Sequence, residues 1–215
     1  MKEKKIGASD FLALGLYAFA GFGLEILLSM ILPGILNVKS SDYTLFHQCI
    51  YWTLTCILWG AVTLFLIYLS KTRYSFDLME CKGIPDRKGW LGAIIVAASA
   101  IGITTAVGEG FKPVLEYHGI VRFLFQNVYY LFETALIMLT IAFGQKFGEL
   151  LTKREGLPYG GLFLALTWGL VHILIQNLQT GIYTVVISLL YGIVYLLLNK
   201  NIRYSYILVA IMFIL

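Results

Sequence analysis

Charge is scarce in this chain of 215 residues: 12 acidic and 16 basic residues make up 13% of it, against 59% apolar residues. A soluble globular domain carries about a quarter charged residues, so composition excludes that class, and with it nucleic-acid modules and dinucleotide-binding enzymes. The mean hydropathy of +0.82 agrees. Cysteine is equally sparse. Cys49, Cys56 and Cys81 form neither a CxxC pair nor a cluster with histidine, which excludes a disulfide-stapled fold, a thiol redox motif and a zinc site. The apolar runs also lack the alternating period of a membrane β-barrel, and an open sheet cannot satisfy its edge groups in lipid. The expected fold class is therefore all-α, a multi-pass transmembrane helical bundle of about seven helices, with residues 1–215 forming one integral membrane domain in contact with the lipid bilayer.

A hydrocarbon core about 30 Å thick takes about 20 apolar residues per helical crossing. Charged punctuation leaves seven apolar runs of helical character: Phe11–Leu36, Phe46–Leu69, Trp90–Val107, Ile120–Phe143, Gly160–Asn177, Thr180–Leu198 and Tyr204–Leu215. The last has 12 residues, about 18 Å at the helical rise, so it reaches part way across or belongs to a chain cut short. The N-terminal lysines Lys2, Lys4 and Lys5 ahead of the first run resemble the start of a signal peptide. That run is too long and lacks a small-residue cleavage site near its end, which points to a retained first helix.

Basic residues set orientation. With the N-terminus in the cytoplasm of a cell-membrane protein, the inner side collects Lys2, Lys4, Lys5, Lys71, Arg73, Lys82, Arg87, Lys88, Lys146, Lys153, Arg154, Lys200 and Arg203, leaving Lys39, Lys112 and Arg122 outside. Two polar connections, Lys71 to Gly89 and Lys146 to Pro158, fall on the inner side, where basic segments meet anionic lipid. The outer stretch from Gly108 to Gly119 holds Glu109, Glu116 and His118, but its acidic residues flank Pro113 without fixed ligand geometry. It reads as an interfacial loop, not a metal site. The halves of the chain share no pattern of Gly/Pro interruptions, which weakens a transporter built from repeats.

An ionisable side chain inside a bilayer costs at least about 2.5 kcal/mol, so each one needs a reason. Three lie well inside the runs: Glu25 in GFGLEILL, Glu133 in YYLFETAL and His172 in TWGLVHIL. Glu25 and Glu133 are several turns from the nearer ends of their runs and His172 is five residues from Asn177, so all three can approach one zone. A glutamate and a histidine there form a proton-sharing pair, the carboxylate acting as general base on water while the imidazole stabilises negative charge or relays the proton. The plain alternative is that each hydrogen-bonds a neighbouring helix and fixes packing. Gln126, Asn127, Gln176, Asn177 and Gln179 lie near the same end, though turn chemistry at Thr180 and Gly181 also accounts for Asn177 and Gln179. Tyr129, Tyr130, Tyr183, Tyr191 and Tyr195 read as interfacial belt or core.

Residues 120–215 resemble the CPBP family, the CAAX proteases and bacteriocin-processing enzymes also called Abi. Its aromatic-xxx-His helix is similar to Trp168–His172 in GLFLALTWGLVHIL, and its upstream glutamate motif to Glu133, with the basic loop and Pro158 between them. LLYGIVYLLLNKNIRYSYIL is similar to its small-residue helix, turn and final helix. The family's second glutamate is here Thr134, its arginine position is Met138 or the adjacent Ile137, and the last helix offers YILVAIMFIL without histidine.

The resemblance implies an intramembrane endopeptidase acting on a membrane peptide or protein, without a cofactor. Glu133 and His172 would be catalytic, and Glu25, Trp168 and Asn177 would line the pocket. The missing groups favour a second reading, a non-enzymatic scaffold, immunity or regulatory protein of the same fold. The third is a small transporter subunit with Glu25 and Glu133 as proton or cation sites.

Overall fold

The computed structural model describes residues 6–80 and 83–215; Lys2, Lys4, Lys5, Lys82 and Cys81, assigned above to the inner side and to the cysteine set, lie outside the described residues. All regular elements among the described residues are helical. They are α1 (Ala8–Leu36), a 3-10 turn at Ser40–Asp42, α2 (Leu45–Tyr74), α3 (Arg87–Val107), α4 (Lys112–Leu115), α5 (Ile120–Thr152), α6 (Tyr159–Leu164), a π-helical turn (Ala165–Gly169), α7 (Leu170–Ile175), α8 (Leu178–Leu197) and α9 (Ile202–Ile214). α1, α2, α3, α5 and α8 are long and apolar enough to cross a membrane, while Tyr159–Ile175 and α9 are shorter apolar helices. These are the seven expected runs.

Three local expectations change. α5 continues past Phe143 to Thr152, so Lys146 sits on a helix and not in a connection. Tertiary bonding extends it: the buried Gln145 donates to the Leu157 carbonyl and to Glu149 Oε1, and accepts from the Gly160 N–H, each at 2.9 Å. The Gly160–Asn177 run is not one regular helix, because a π-turn interrupts it and α7 stops at Ile175. The stretch from Gly108 to Gly119 contains the helical turn α4, with Pro113 near its start.

Helix starts follow side-chain capping, in which a short polar side chain accepts a free backbone N–H. Asp86 accepts from Gly89 N at 2.7 Å, Asn177 from Thr180 N at 2.9 Å, and Asn201 from Arg203 N at 3.1 Å. α1, α2 and α5 end on Asn37, Ser75 and Lys153, all in the left-handed conformation, which closes the last turn.

α5 is the hub. Every residue from Leu136 to Gln145 is buried, so this stretch is covered on all sides by α1, α2, α6 and α9. The peripheral helices instead turn apolar side chains outward: Met30, Ile35, Phe46 and Leu64 are each at least 69% exposed. Large apolar groups on the outside of an ordered bundle match lipid as the surrounding solvent.

α1 runs antiparallel to α5, and the α6–α7 segment runs antiparallel to α8. Gly15 of α1 lies beside Gly144 of α5 and Gly21 beside Leu136, and Tyr129 then reaches Glu25. Along the α6–α7 segment and α8, Gly161 meets Gly192, Gly169 meets Val185, and Gly181 meets Ile173. Small residues let backbones approach where lipid offers no hydrophobic drive between helices. In consequence the C-terminal ends of α1, α3, α7 and α9 share one end of the bundle with the N-terminal ends of α5 and α8.

Candidate functional site: a polar cavity at one end of the bundle

A cavity of about 840 Å³ opens among these helix ends, lined by Glu25 of α1, Thr104 of α3, Lys112 of α4, Tyr129, Tyr130 and Glu133 of α5, Trp168, His172 of α7, Tyr183, Thr184 and Tyr191 of α8, and Phe213 of α9, with Glu116, Gln176 and Asn177 on the connections. Glu133 and His172, the pair expected to be catalytic, thus line one cavity, together with Glu25, Trp168 and Asn177. Polar groups fill much of its wall, as orientation-setting groups do in ligand sites.

His172 is positioned by its own helix. The π-turn places Trp168 so that the His172 Nδ1 stands 2.6 Å from the Trp168 carbonyl oxygen, and the two rings meet edge-to-face with centroids 4.5 Å apart. A carbonyl can only accept, so Nδ1 carries the hydrogen, and Nε2 of the neutral ring is an acceptor. π-turns are rare and recur at functional sites. This one is braced by Thr184, whose hydroxyl lies 3.0 Å from the Gly169 carbonyl.

Glu133 is half-buried on the cavity side of α5. The Trp168 side chain and the charges of Glu25 and Lys112 act on its carboxyl. Trp168 lines the cavity beside the glutamate and holds the histidine through its carbonyl. Glu25 is held differently: its Oε1 accepts from Tyr129 at 2.7 Å and from Tyr51 at 3.0 Å. Asn177 caps α8 with its side-chain oxygen. At the expected second glutamate, the buried Thr134 donates to the Tyr130 carbonyl at 2.8 Å, and Met138 at the expected arginine is buried in the core.

Lys112 was not among the expected site residues. Its ammonium donates to the Phe213 carbonyl at 2.5 Å and sits 4.3 Å from the Tyr130 ring centroid and 4.7 Å from that of Phe213. Burial pushes it below the ordinary lysine value, while Glu116 and Glu133 pull it back up. Glu116 in turn accepts from Tyr130 at 2.9 Å, and Gln126 donates to that same Tyr130 hydroxyl at 2.8 Å. The available signal was the rarity of lysine on this side of the chain. Tyr129, Tyr130 and Tyr183, read as belt or core, are cavity residues too, with the Tyr183 hydroxyl 2.9 Å from that of Thr104. Among the described residues, no group of three or more His, Cys, Asp or Glu side chains is arranged to hold a metal ion.

Fold and site together define a class: a multi-pass helical membrane protein with a polar cavity inside its bundle. No family model, curated protein or solved structure matches the chain.

Proposed function

We propose that the chain is a membrane-embedded endopeptidase of the CPBP type, in which Glu133 is the general base. The observation that carries this reading is that Glu133 and His172, on different helices and 39 positions apart in the sequence, line one cavity together with Trp168, whose carbonyl holds His172. A water held by Glu133 gives up a proton to the carboxylate as its oxygen attacks a peptide carbonyl. His172, with Nδ1–H engaged, offers Nε2 as an acceptor, which suits proton relay. Lys71, Arg73, Arg87, Lys88, Lys153, Arg154, Lys200 and Arg203 lie at the opposite end of the bundle from the cavity. By the positive-inside bias that end faces the cytoplasm of a cell-membrane protein, as does the N-terminus, and the cavity belongs to the outer half of the bilayer.

The test is cleavage of an internally quenched apolar peptide by the purified full chain in liposomes. E133Q is expected to abolish turnover and H172A to lower it at least 100-fold, the scale on which general acid–base catalysis acts. Turnover unchanged in both variants removes the two residues from catalysis. A second reading, a non-enzymatic protein of the same fold that binds a membrane segment, is favoured by Thr134, whose hydroxyl is committed to a backbone carbonyl where the family has a glutamate. It predicts binding without cleavage by the wild type.

A further inference from the structure

The cavity holds one group whose role packing does not exhaust. Lys112 is the only lysine or arginine among the described residues lining it, and it arrives from α4, a single helical turn between two crossings. Its ammonium has three donors, and the Phe213 carbonyl takes one. The Tyr130 and Phe213 rings flank the cation and replace part of its hydration. Among the described residues neither Glu116 nor Glu133 comes within 4.0 Å to pair with it, although both act on it electrostatically. A cation held in place with donors to spare, in the same cavity as a general base, meets the requirement for stabilising an oxyanion.

We propose that Lys112 is the oxyanion-binding residue of this site, contacting the substrate carbonyl oxygen while Glu133 activates the attacking water; the assignment rests on the peptidase reading above. Water's oxygen bonds to the carbonyl carbon as its proton passes to Glu133, and the carbonyl π electrons move to oxygen, where the Lys112 ammonium holds the negative charge. The tetrahedral intermediate then collapses. The C–N bond breaks with its electron pair on nitrogen, and the proton on Glu133 passes to the leaving amine. The group therefore comes from the α3–α5 connection, which no motif on α5 or α9 would have indicated.

The experiment uses the full chain in phosphatidylethanolamine/phosphatidylglycerol liposomes with the quenched apolar peptide. K112Q keeps a hydrogen-bond donor and loses the charge. It is expected to lower kcat by about 100- to 1,000-fold, as loss of an oxyanion donor does, with KM within threefold and an unchanged Tm. K112R restores at least a tenth of the wild-type kcat. If K112Q loses its folded thermal transition, K112M, which retains the stem that packs on Tyr130 and Phe213, repeats the comparison. A K112Q or K112M kcat within threefold of wild type, with E133Q inactive, overturns the role of Lys112 and leaves the peptidase reading standing. Absence of cleavage by the wild type, or equal cleavage by E133Q, overturns both.

Discussion

Substituting Gly192 by alanine tests a close backbone-to-backbone helix approach in the bundle, and with it the placement of the cavity wall. A Cβ at Gly192 would collide with the Cα and backbone nitrogen of Gly161, and one at Gly161 would stand 3.0 Å from the Gly192 Cα and from the Ser188 carbonyl oxygen. Ordinary carbon contacts lie at about 3.5–4.0 Å, so α6 and α8 must separate by about 1 Å in G192A. Overpacking of this kind costs about 1–3 kcal/mol. Replacing a helical glycine by alanine returns about 0.5–1 kcal/mol through reduced backbone entropy, so collision wins and a net loss of about 1–2 kcal/mol is expected. Gly102 is the control: it lies on α3 with nothing within 4 Å of its notional Cβ, so G102A shows only the propensity gain. Reversible unfolding in mixed micelles, followed by tryptophan fluorescence, measures both. α6 leads directly into the π-turn bearing Trp168, and α8 carries Tyr183 and Tyr191, so G192A also changes the cavity and the fluorescence of Trp168. Equal stabilisation of G192A and G102A would refute the close approach.

Three further perturbations probe separate parts of the structure. E25Q keeps an acceptor for Tyr51 and Tyr129 and is expected to change stability by less than about 1 kcal/mol, whereas E25L strands both hydroxyls and costs about 1–3 kcal/mol; equal unfolding midpoints for the two variants would count against the bonding seen. Q145L leaves the Gly160 N–H unpartnered, while the Leu157 carbonyl keeps the Tyr159 N–H, for a loss of about 1–3 kcal/mol and accelerated proteolysis of residues 153–158. The third concerns acid. The Lys71 ammonium, 2.8 Å from Asp77, and then the Met79 N–H hold the Asp77 carboxyl below its ordinary value of 3.8. A depressed carboxylate contributes stability that is present above its unfolded value and fades as pH falls through the folded one. The Tm of wild type should therefore fall more steeply than that of D77N below about pH 4; parallel profiles would exclude the contribution.

The bundle was legible in the sequence because a bilayer asks for length and apolarity, and both are local properties of a run. The starts of α3, α8 and α9 fall two or three residues before the expected runs, at the capping side chains of Asp86, Asn177 and Asn201, which lie outside the apolar pattern. The π-turn was not legible, since Ala165–Gly169 has ordinary helical composition, and its extra residue is accommodated against α8 by Val185 and Thr184. The extension of α5 was hidden by Lys146 and Glu149, which read as a loop until the ion pair of Glu149 with Lys200 at 3.0 Å and the Gln145 bonds show what the added turns hold. At the site, Glu133 and His172 stood out because ionisable groups inside apolar runs are costly. Lys112 did not, because a lysine in a connection costs nothing until tertiary structure carries it over the Tyr130 and Phe213 rings.

The three carboxylates lining the cavity are not equivalent, and their partners separate structure from chemistry. Glu25 accepts two tyrosine hydroxyls that join α1 to α2 and α5, a cross-helix knot that explains an intramembrane carboxylate by packing. Glu116 accepts from Tyr130 and helps seat the connection that carries Lys112. Glu133 sits on α5, which α1, α2, α6, α8 and α9 all contact, yet among the described residues no tyrosine hydroxyl ties it to a second helix. It shares the cavity with Trp168, on the π-turn whose carbonyl holds His172. A carboxylate retained inside a bundle at such cost, in one cavity with His172 and Lys112, is the one whose presence packing explains least, and the proposed peptidase chemistry rests on it.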